Sequence, residues 1–207
     1  LAQVASTKET IRLNVPFYYQ GTTSWCALAA MSEVLHYYFK DNAPNIWEIA
    51  AQLDKDSSQG ANILEIHSFL EDTFSFGTGS AWNWDLHLLS SSAVSKIQSV
   101  IRTGHPVQVL SSDTRHAIVV TGYSGTDDTD IVYVHDTSGA VFPSTPNYGV
   151  TWSQFKAAVD SSLLSSVWLV YGTSDSLFTN LDSGDFPTGV SVQPGMAYGD
   201  VRYASTQ

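Results

Sequence analysis

Cys26 is the only cysteine of the chain, which excludes an internal disulfide and a thiolate zinc cluster. A lone cysteine is either a small buried hydrophobe or a reactive thiol, and its surroundings decide. Here it follows the turn Gly21-Thr22-Thr23-Ser24 and stands in the first turn of the segment Trp25 to Phe39, whose strongly polar positions are Ser32, Glu33 and His36. A segment so apolar on nearly every side reads as a helix at the centre of a domain. A helix N-terminus carries about half a positive charge and unpaired N–H groups, which favour the thiolate, the nucleophilic form. Gln20, six residues upstream across the turn, is placed to aim its amide N–H at the same spot. With the Cys26 backbone N–H it would make a two-donor oxyanion hole.

A thiolate nucleophile needs a basic partner, and six histidines compete. His36 and His67 fall on helical patterns and read as core or surface residues. His87 follows an alternating aromatic stretch, and His105 lies in a Gly-His-Pro turn. His116 opens the most strand-like run, His116-Ala117-Ile118-Val119-Val120-Thr121-Gly122-Tyr123, so a strand would fix it while its end faces a cleft. The third member of such a site orients the imidazole and stabilises its protonated form. Asp136 ends the next strand-like run, 131–136. If the two runs pair through the polar turn 124–130, the start of one lies beside the end of the other, and His116 meets Asp136. His135 then points to the opposite face. The alternative for Asp136 is a plain turn residue in Asp136-Thr137-Ser138-Gly139.

These residues need elements to hold them. Helical spacing predicts further helices at 45–53, around Ile63 to Leu70, and at 93–102, the last ended by Gly104 and Pro106. Gly77-Thr78-Gly79-Ser80 is a break, and Trp82, Trp84 and Leu86 alternate as in a strand. Strands are expected at 107–110, 116–123, 131–136 and 167–172. Thr151-Trp152-Ser153-Gln154 fits a capping box opening a helix at 152–159. Helices crowd the first half and antiparallel strands the second, an α+β pattern. The expected organisation is an irregular lead-in (1–14), one domain (15–172, helical to about 103 and sheet from 104), and an irregular Gly/Ser/Asp/Pro-rich tail (173–207).

A length of 207 residues with 43 % apolar composition supports one sizeable core, and excludes disorder of the whole chain. Twenty acidic against nine basic residues leave a charge of −11, which argues against nucleic acid and anionic membranes as partners. The same charge would steer basic substrates at long range, subject to screening by salt. No apolar run approaches the ~20 residues of a membrane helix. Few charges, with abundant Ser, Thr, Gly and aromatics, suit a secreted or cell-surface protein. The start at Leu1 fits removal of a leader.

The stretch Gln20-x5-Cys26 opening an Ala-rich helix, then His116-Ala-Ile-Val-Val-Thr-Gly-Tyr, then Val134-His-Asp136, resembles the papain-like cysteine peptidases. The histidine strand is most similar to the branch containing the bacteriocin-leader-processing peptidases. The order Ser24-Trp25-Cys26-Ala27 is closer to the staphopains, and Gly104-x-Pro106-Val107 also fits the superfamily. The likeness spans about residues 14–172. It implies Cys26 as nucleophile, His116 as general base, Asp136 as orienting acid and Gln20 as oxyanion donor, with no metal or cofactor. It also implies a papain-like fold, in which a central helix bearing the cysteine packs on an antiparallel sheet bearing histidine and acid. Departures are Trp25 and Ala27 where the bacteriocin branch has Asp and Gly, and Asp136 where papain and the staphopains have Asn. The indole that shields the catalytic pair in papain has no clear counterpart, and Trp152 reads as a structural residue of the last helix.

The expected activity is peptide-bond hydrolysis through an acyl-enzyme, with Tyr19, Ser24 and Trp25 lining the substrate cleft. The partners are a peptide or protein substrate, with a removed pro-segment or an inhibitor as further occupants. The same machinery serves acyl or amide transfer when an amine or thiol replaces water. A non-catalytic binding module is the third reading, and the co-occurrence of Gln20, Cys26, His116 and Asp136 argues against it. Asp127, Asp128 and Asp130 share a loop, but their spacing completes no EF-hand and reads as a solvated turn. Trp82 and Trp84 read as sheet packing rather than a sugar-binding surface.

Overall fold

The computed structural model of the protein describes residues 8–74, 82–88, 92–111, 115–159 and 166–172. The chain is α+β. Strand β1 (Thr10–Arg12) precedes helices α1 (Cys26–Phe39), α2 (Ile46–Gln52) and α3 (Ile63–Phe74), followed by β2 (Trp82–Leu88) and α4 (Ser92–Arg102). Strands β3 (Val107–Ser111), β4 (His116–Ser124), β5 (Ile131–His135) and β6 (Tyr148–Thr151) lead to helix α5 (Trp152–Val159) and strand β7 (Ser166–Gly172). The seven strands form one antiparallel sheet in the order β2-β7-β3-β4-β5-β6, with β1 paired to the far end of β4.

Alternation along the strands explains why helices cover both faces. In β4, Ala117 and Val119 turn toward α1, α2 and α3, while Ile118 and Val120 turn toward α4 and α5. A strand buried on both sides must be apolar at every position, and the run from Ala117 to Tyr123 is entirely buried. Helix α1 is sequestered for the same reason. Leu28, Ala29, Ala30 and Leu35 are wholly buried, and its alanines let the helix lie close to β4. The buried amide of Gln108 on β3 donates to the carbonyl of Ala27 at 2.9 Å, fastening the first turn of α1 to the sheet.

Two strands escape the sequence pattern. Residues 10–12 fall in the expected irregular lead-in, yet pair with Gly122–Ser124. Strand β6 lies beside β5, with Val134 opposite Tyr148. β2, from the first half of the chain, pairs with β7 along its whole length. The expected break at 77–80 and the tail from 173 lie outside the described residues. Asn45 caps α2 with the side-chain exchange of a capping box, its Oδ1 accepting from Trp47 and Glu48 while Glu48 accepts from the Asn45 N–H. No helix among the described residues is long and apolar enough to cross a membrane.

Candidate active site

The hairpin β4–β5 pairs Val119 with His135 and Ser124 with Ile131, so the start of β4 lies at the end of β5. There His116 Nε2 is 2.8 Å from Asp136 Oδ1. An ionised carboxylate only accepts, so Nε2 carries the proton and donates it. This leaves Nδ1 free to serve Cys26, which lines the same cleft and whose ionised form the imidazole stabilises. The start of α1 has brought the sulfur there, and backbone N–H groups of Ala27 and Ala117 also point at it. The His116–Asp136 pair and Cys26 thus meet at one cleft.

The charges follow from the contacts. Burial opposes ionisation of Cys26, but the hydrogen bond and charge of His116 and the two backbone N–H groups outweigh it, and the thiol pKa is lowered. Burial likewise opposes a charged His116. Hydrogen bonds and attraction from Asp136 and Cys26 prevail and raise its pKa to about 9. Thiolate and imidazolium therefore stabilise one another.

Asp136 shows the most elaborate local structure. The chain from 137 to 142 wraps its carboxylate. Ser138 N–H, Ser138 Oγ and Gly139 N–H donate to Oδ1 at 3.1, 3.1 and 2.9 Å, and Val141 and Phe142 N–H donate to Oδ2 at 2.8 and 2.9 Å. Gly139 makes the wrap possible, because its φ of 76° is left-handed. Burial pushes the Asp136 pKa up, but His116 and these N–H donors pull it below the usual carboxylate range. An amide at this position would turn its NH2 against two backbone N–H groups, which explains an aspartate rather than an asparagine.

Gln20 is held at both ends. Its Nε2 donates to the Thr23 carbonyl at 2.7 Å, and its Oε1 accepts from Thr137 Oγ1 at 2.7 Å. Its backbone N–H donates to the Thr137 carbonyl at 3.0 Å. Because a carbonyl only accepts, Thr23 fixes which end of the amide is the donor. The second Nε2 hydrogen remains for the cleft that Gln20 lines.

That cleft, about 720 Å³, is lined by Gln20, Thr23, Ser24 and Cys26 on one side. Arg115, His116, Ser138, Ala140, Val141 and Ala158 line the other. Tyr19 and Trp25 do not line the cleft. Trp25 is buried, its indole edge-on to Trp47 and its Nε1 donating to the Asp56 carbonyl at 2.8 Å, because so large an apolar ring at the start of α1 gains more from the core. Tyr19 is 44 % exposed on the surface outside the cleft. Its neighbours Tyr18 and Gln20 are the buried ones.

Thr137 and Arg115 escaped the sequence reading. The position of Thr137 beside Asp136 was the available signal for the first, and that of Arg115 beside His116 for the second. A second acid–imidazole pair also escaped it. His135 Nδ1 lies 3.0 Å from Glu33 Oε2, both residues wholly buried, and Glu33 Oε1 accepts from Tyr18 N–H at 2.9 Å. The His87 side chain lies outside the described residues, and the other three histidines serve packing. His36 bonds Ser32, His67 stacks on Trp84, and His105 bonds Tyr38. Trp82 is core, and the Trp152 indole donates to the Gly125 carbonyl at 3.2 Å. In the acidic loop, Asp130 pairs with Lys8 and Asp128 with Lys156.

A central helix opening on cysteine, packed on an antiparallel sheet that presents histidine and acid, defines the papain-like cysteine peptidase superfamily. Residues 12–168 match the model of the Peptidase_C39 like family, and the chain belongs to that family. No curated protein matches the chain.

Proposed function

We propose that the protein is a cysteine endopeptidase in which Cys26 is the nucleophile, His116 the proton carrier, Asp136 the orienting acid and Gln20 the oxyanion donor. The observation that carries this reading is the single imidazole that bonds the Asp136 carboxylate and shares the cleft with Cys26, whose thiolate it stabilises. The thiolate attacks the peptide carbonyl. The oxygen that becomes negative sits between the Gln20 Nε2–H and the Cys26 backbone N–H. His116 gives its proton to the departing amine, and a thioester joins the acyl group to Cys26. His116 then takes a proton from water, which attacks the thioester and frees the acid. Membership of a cysteine-peptidase-type family supports the reading.

The finer placement beside the bacteriocin-processing branch, with a staphopain-like order around Cys26, rests on the motifs at Gln20–Cys26 and His116–Tyr123. A secreted or cell-surface setting rests on composition.

The test is the rate of Cys26 alkylation by iodoacetamide from pH 4 to 10, for wild type and His116→Ala. The expected wild-type pKa lies well below the ~8.5 of a free thiol and returns to it in the variant. An ordinary thiol indifferent to His116 would overturn the proposal. Turnover of a peptide library with and without added amines then separates hydrolysis from acyl transfer.

A further inference from the structure

Eight cationic side chains fall among the described residues, and seven are engaged. Lys8, Lys55, Lys96, Arg102 and Lys156 each pair with a carboxylate. Arg12 lies over the Tyr133 ring, and Lys40 donates to the Tyr37 carbonyl. The eighth, Arg115, is exposed and has no ion pair, ring contact or side-chain hydrogen bond among the described residues. In a chain with 20 acidic and nine basic residues, a cation without a partner among the described residues is unexpected on charge alone. Among the described residues, Arg115 is also the one lysine or arginine that lines the cleft. Apart from Cys26 and His116, its companions there are neutral, and most are small: Thr23, Ser24, Ser138, Ala140, Val141 and Ala158. The backbone of Arg115 is left-handed, with φ 49°. A side chain other than glycine is held in that region at a cost, and such strain persists where the surrounding structure dictates it.

We propose that Arg115 reads a carboxylate on the substrate, making this a peptidase that selects an acidic group beside the bond it cuts. The proposal rests on the peptidase reading above and narrows its substrate class. A guanidinium presents a planar fork of donors that matches a carboxylate with two parallel hydrogen bonds. Its position directly before His116 keeps it close to the reacting groups. The small neutral walls leave that fork as the feature able to discriminate charge. The net −11 of the chain acts at long range and is screened by salt, whereas Arg115 acts within the cleft at contact distance. The carboxylate has two sources, an Asp or Glu side chain or the free end of a peptide.

The test uses the full chain and two readouts. In the first, Cys26 is alkylated by iodoacetate, an anion, and by neutral iodoacetamide. Arg115→Gln should lower the iodoacetate-to-iodoacetamide rate ratio about fivefold, and Arg115→Glu further, from the loss of one and two charge units near the thiolate. The iodoacetamide rate itself should stay within about twofold. In the second, peptides matched except for Glu, Gln or Lys at each position near the cut, with free or amidated ends, are compared. Wild type should prefer Glu by about tenfold or more. Arg115→Gln should lose that preference and Arg115→Glu should turn it toward Lys. A preference confined to free ends assigns the terminal carboxylate. An unmoved reagent ratio together with unmoved selectivity overturns the proposal. Because the first readout needs no turnover, it judges Arg115 even if no peptide is cut, an outcome that would instead sink the peptidase reading.

Discussion

Two acid–imidazole pairs sit on consecutive residues of one strand end, and they behave in opposite ways. His116–Asp136 is 2.8 Å long and His135–Glu33 is 3.0 Å, and all four residues are largely or wholly buried. Yet the Asp136 pKa is lowered and the Glu33 pKa is raised, by burial above all. The difference lies in the donors. Asp136 collects four backbone N–H groups, a hydroxyl and an imidazole. Glu33 has one backbone N–H besides its histidine, and feels the negative charge of Asp136. His135 Nε2 has no hydrogen-bond partner among the described residues, so its ring proton belongs on Nδ1, where Glu33 accepts it. A buried carboxylate is thus kept charged by counted donors, and the two imidazoles differ in that His116 borders the cleft that holds Cys26 while His135 is wholly buried.

The largest effects are expected at the two histidines and their acids. His116→Ala should cost about 10⁴-fold in kcat/KM, measured on a cleaved peptide. His135→Phe should leave the Cys26 alkylation profile within about half a pH unit, since its ring faces α1. Asp136→Asn should cost less, about 10²-fold, because the amide oxygen still accepts from His116 Nε2 while the charge that steadies the imidazolium is gone. It should also destabilise by about 3–5 kcal/mol on chemical unfolding, because an amide opposes the N–H groups of Val141 and Phe142. Full activity in that variant would mean that donor count does not govern the pair.

An effect smaller than that of His116→Ala belongs to the oxyanion side. Gln20→Ala should lower kcat about 10²–10³-fold. Thr137→Val, which removes the hydroxyl holding the Gln20 amide, should lower it about tenfold by the same route. Neither should alter the rate of iodoacetamide attack, which develops no oxyanion. Slowed alkylation in either variant would show that the damage had spread to the thiol.

The acidity of the first pair also sets a pH window. The lowered thiol and the His116 value of about 9 bound the range in which thiolate and imidazolium coexist. kcat/KM should rise below the ordinary thiol range near 8.5 and fall through about pH 9. For stability the signs differ by group. The folded pKa of His116 lies above its unfolded value of about 6.5, so its contribution is whole below that pH and disappears as pH rises through about 9. The folded pKa of Asp136 lies below its unfolded value, so its contribution is whole above about pH 4 and is lost as pH falls further. Tm measured from pH 3 to 10 should decline on both sides. The mildest change is expected in Glu33→Gln. Its oxygen still accepts from Tyr18 while its amide donates to His135 Nδ1, which moves the ring proton to the unpartnered Nε2, so stability should fall by about 1–3 kcal/mol. A collapse there would mean the charge of Glu33 is structurally required.

The sequence carried the helices and the longer strands because their periodicity is local. The apolar run of β4, covered on both faces, reads directly, and the turn 124–130 announces the hairpin that makes His116 and Asp136 neighbours. β1 is three residues long and its partner is more than a hundred residues away, so no local signal exists for it. The Glu33–His135 pair was illegible for a related reason. It joins a helix to a strand 102 residues later, and only three-dimensional packing tells which polar position of α1 faces inward. Trp25 was drawn toward the cleft by its adjacency to Cys26, but a helix start sends neighbouring side chains in different directions, and this one enters the core. The wrapped carboxylate could not be foreseen, since its donors are backbone groups whose direction depends on the left-handed Gly139.

One consequence of that wrap concerns timing rather than geometry. Asp136 bonds the His116 imidazole, and the next residue, Thr137, holds the Gln20 amide, so one short loop touches both halves of the proposed site. If the segment 137–142 opens by local unfolding, both halves lose their support in the same event. Activity should therefore track a single opening equilibrium, visible as hydrogen exchange at the Gly139, Val141 and Phe142 amides. A molecule that seats its substrate against Ser138, Ala140 and Val141 would slow that exchange and ready the site together.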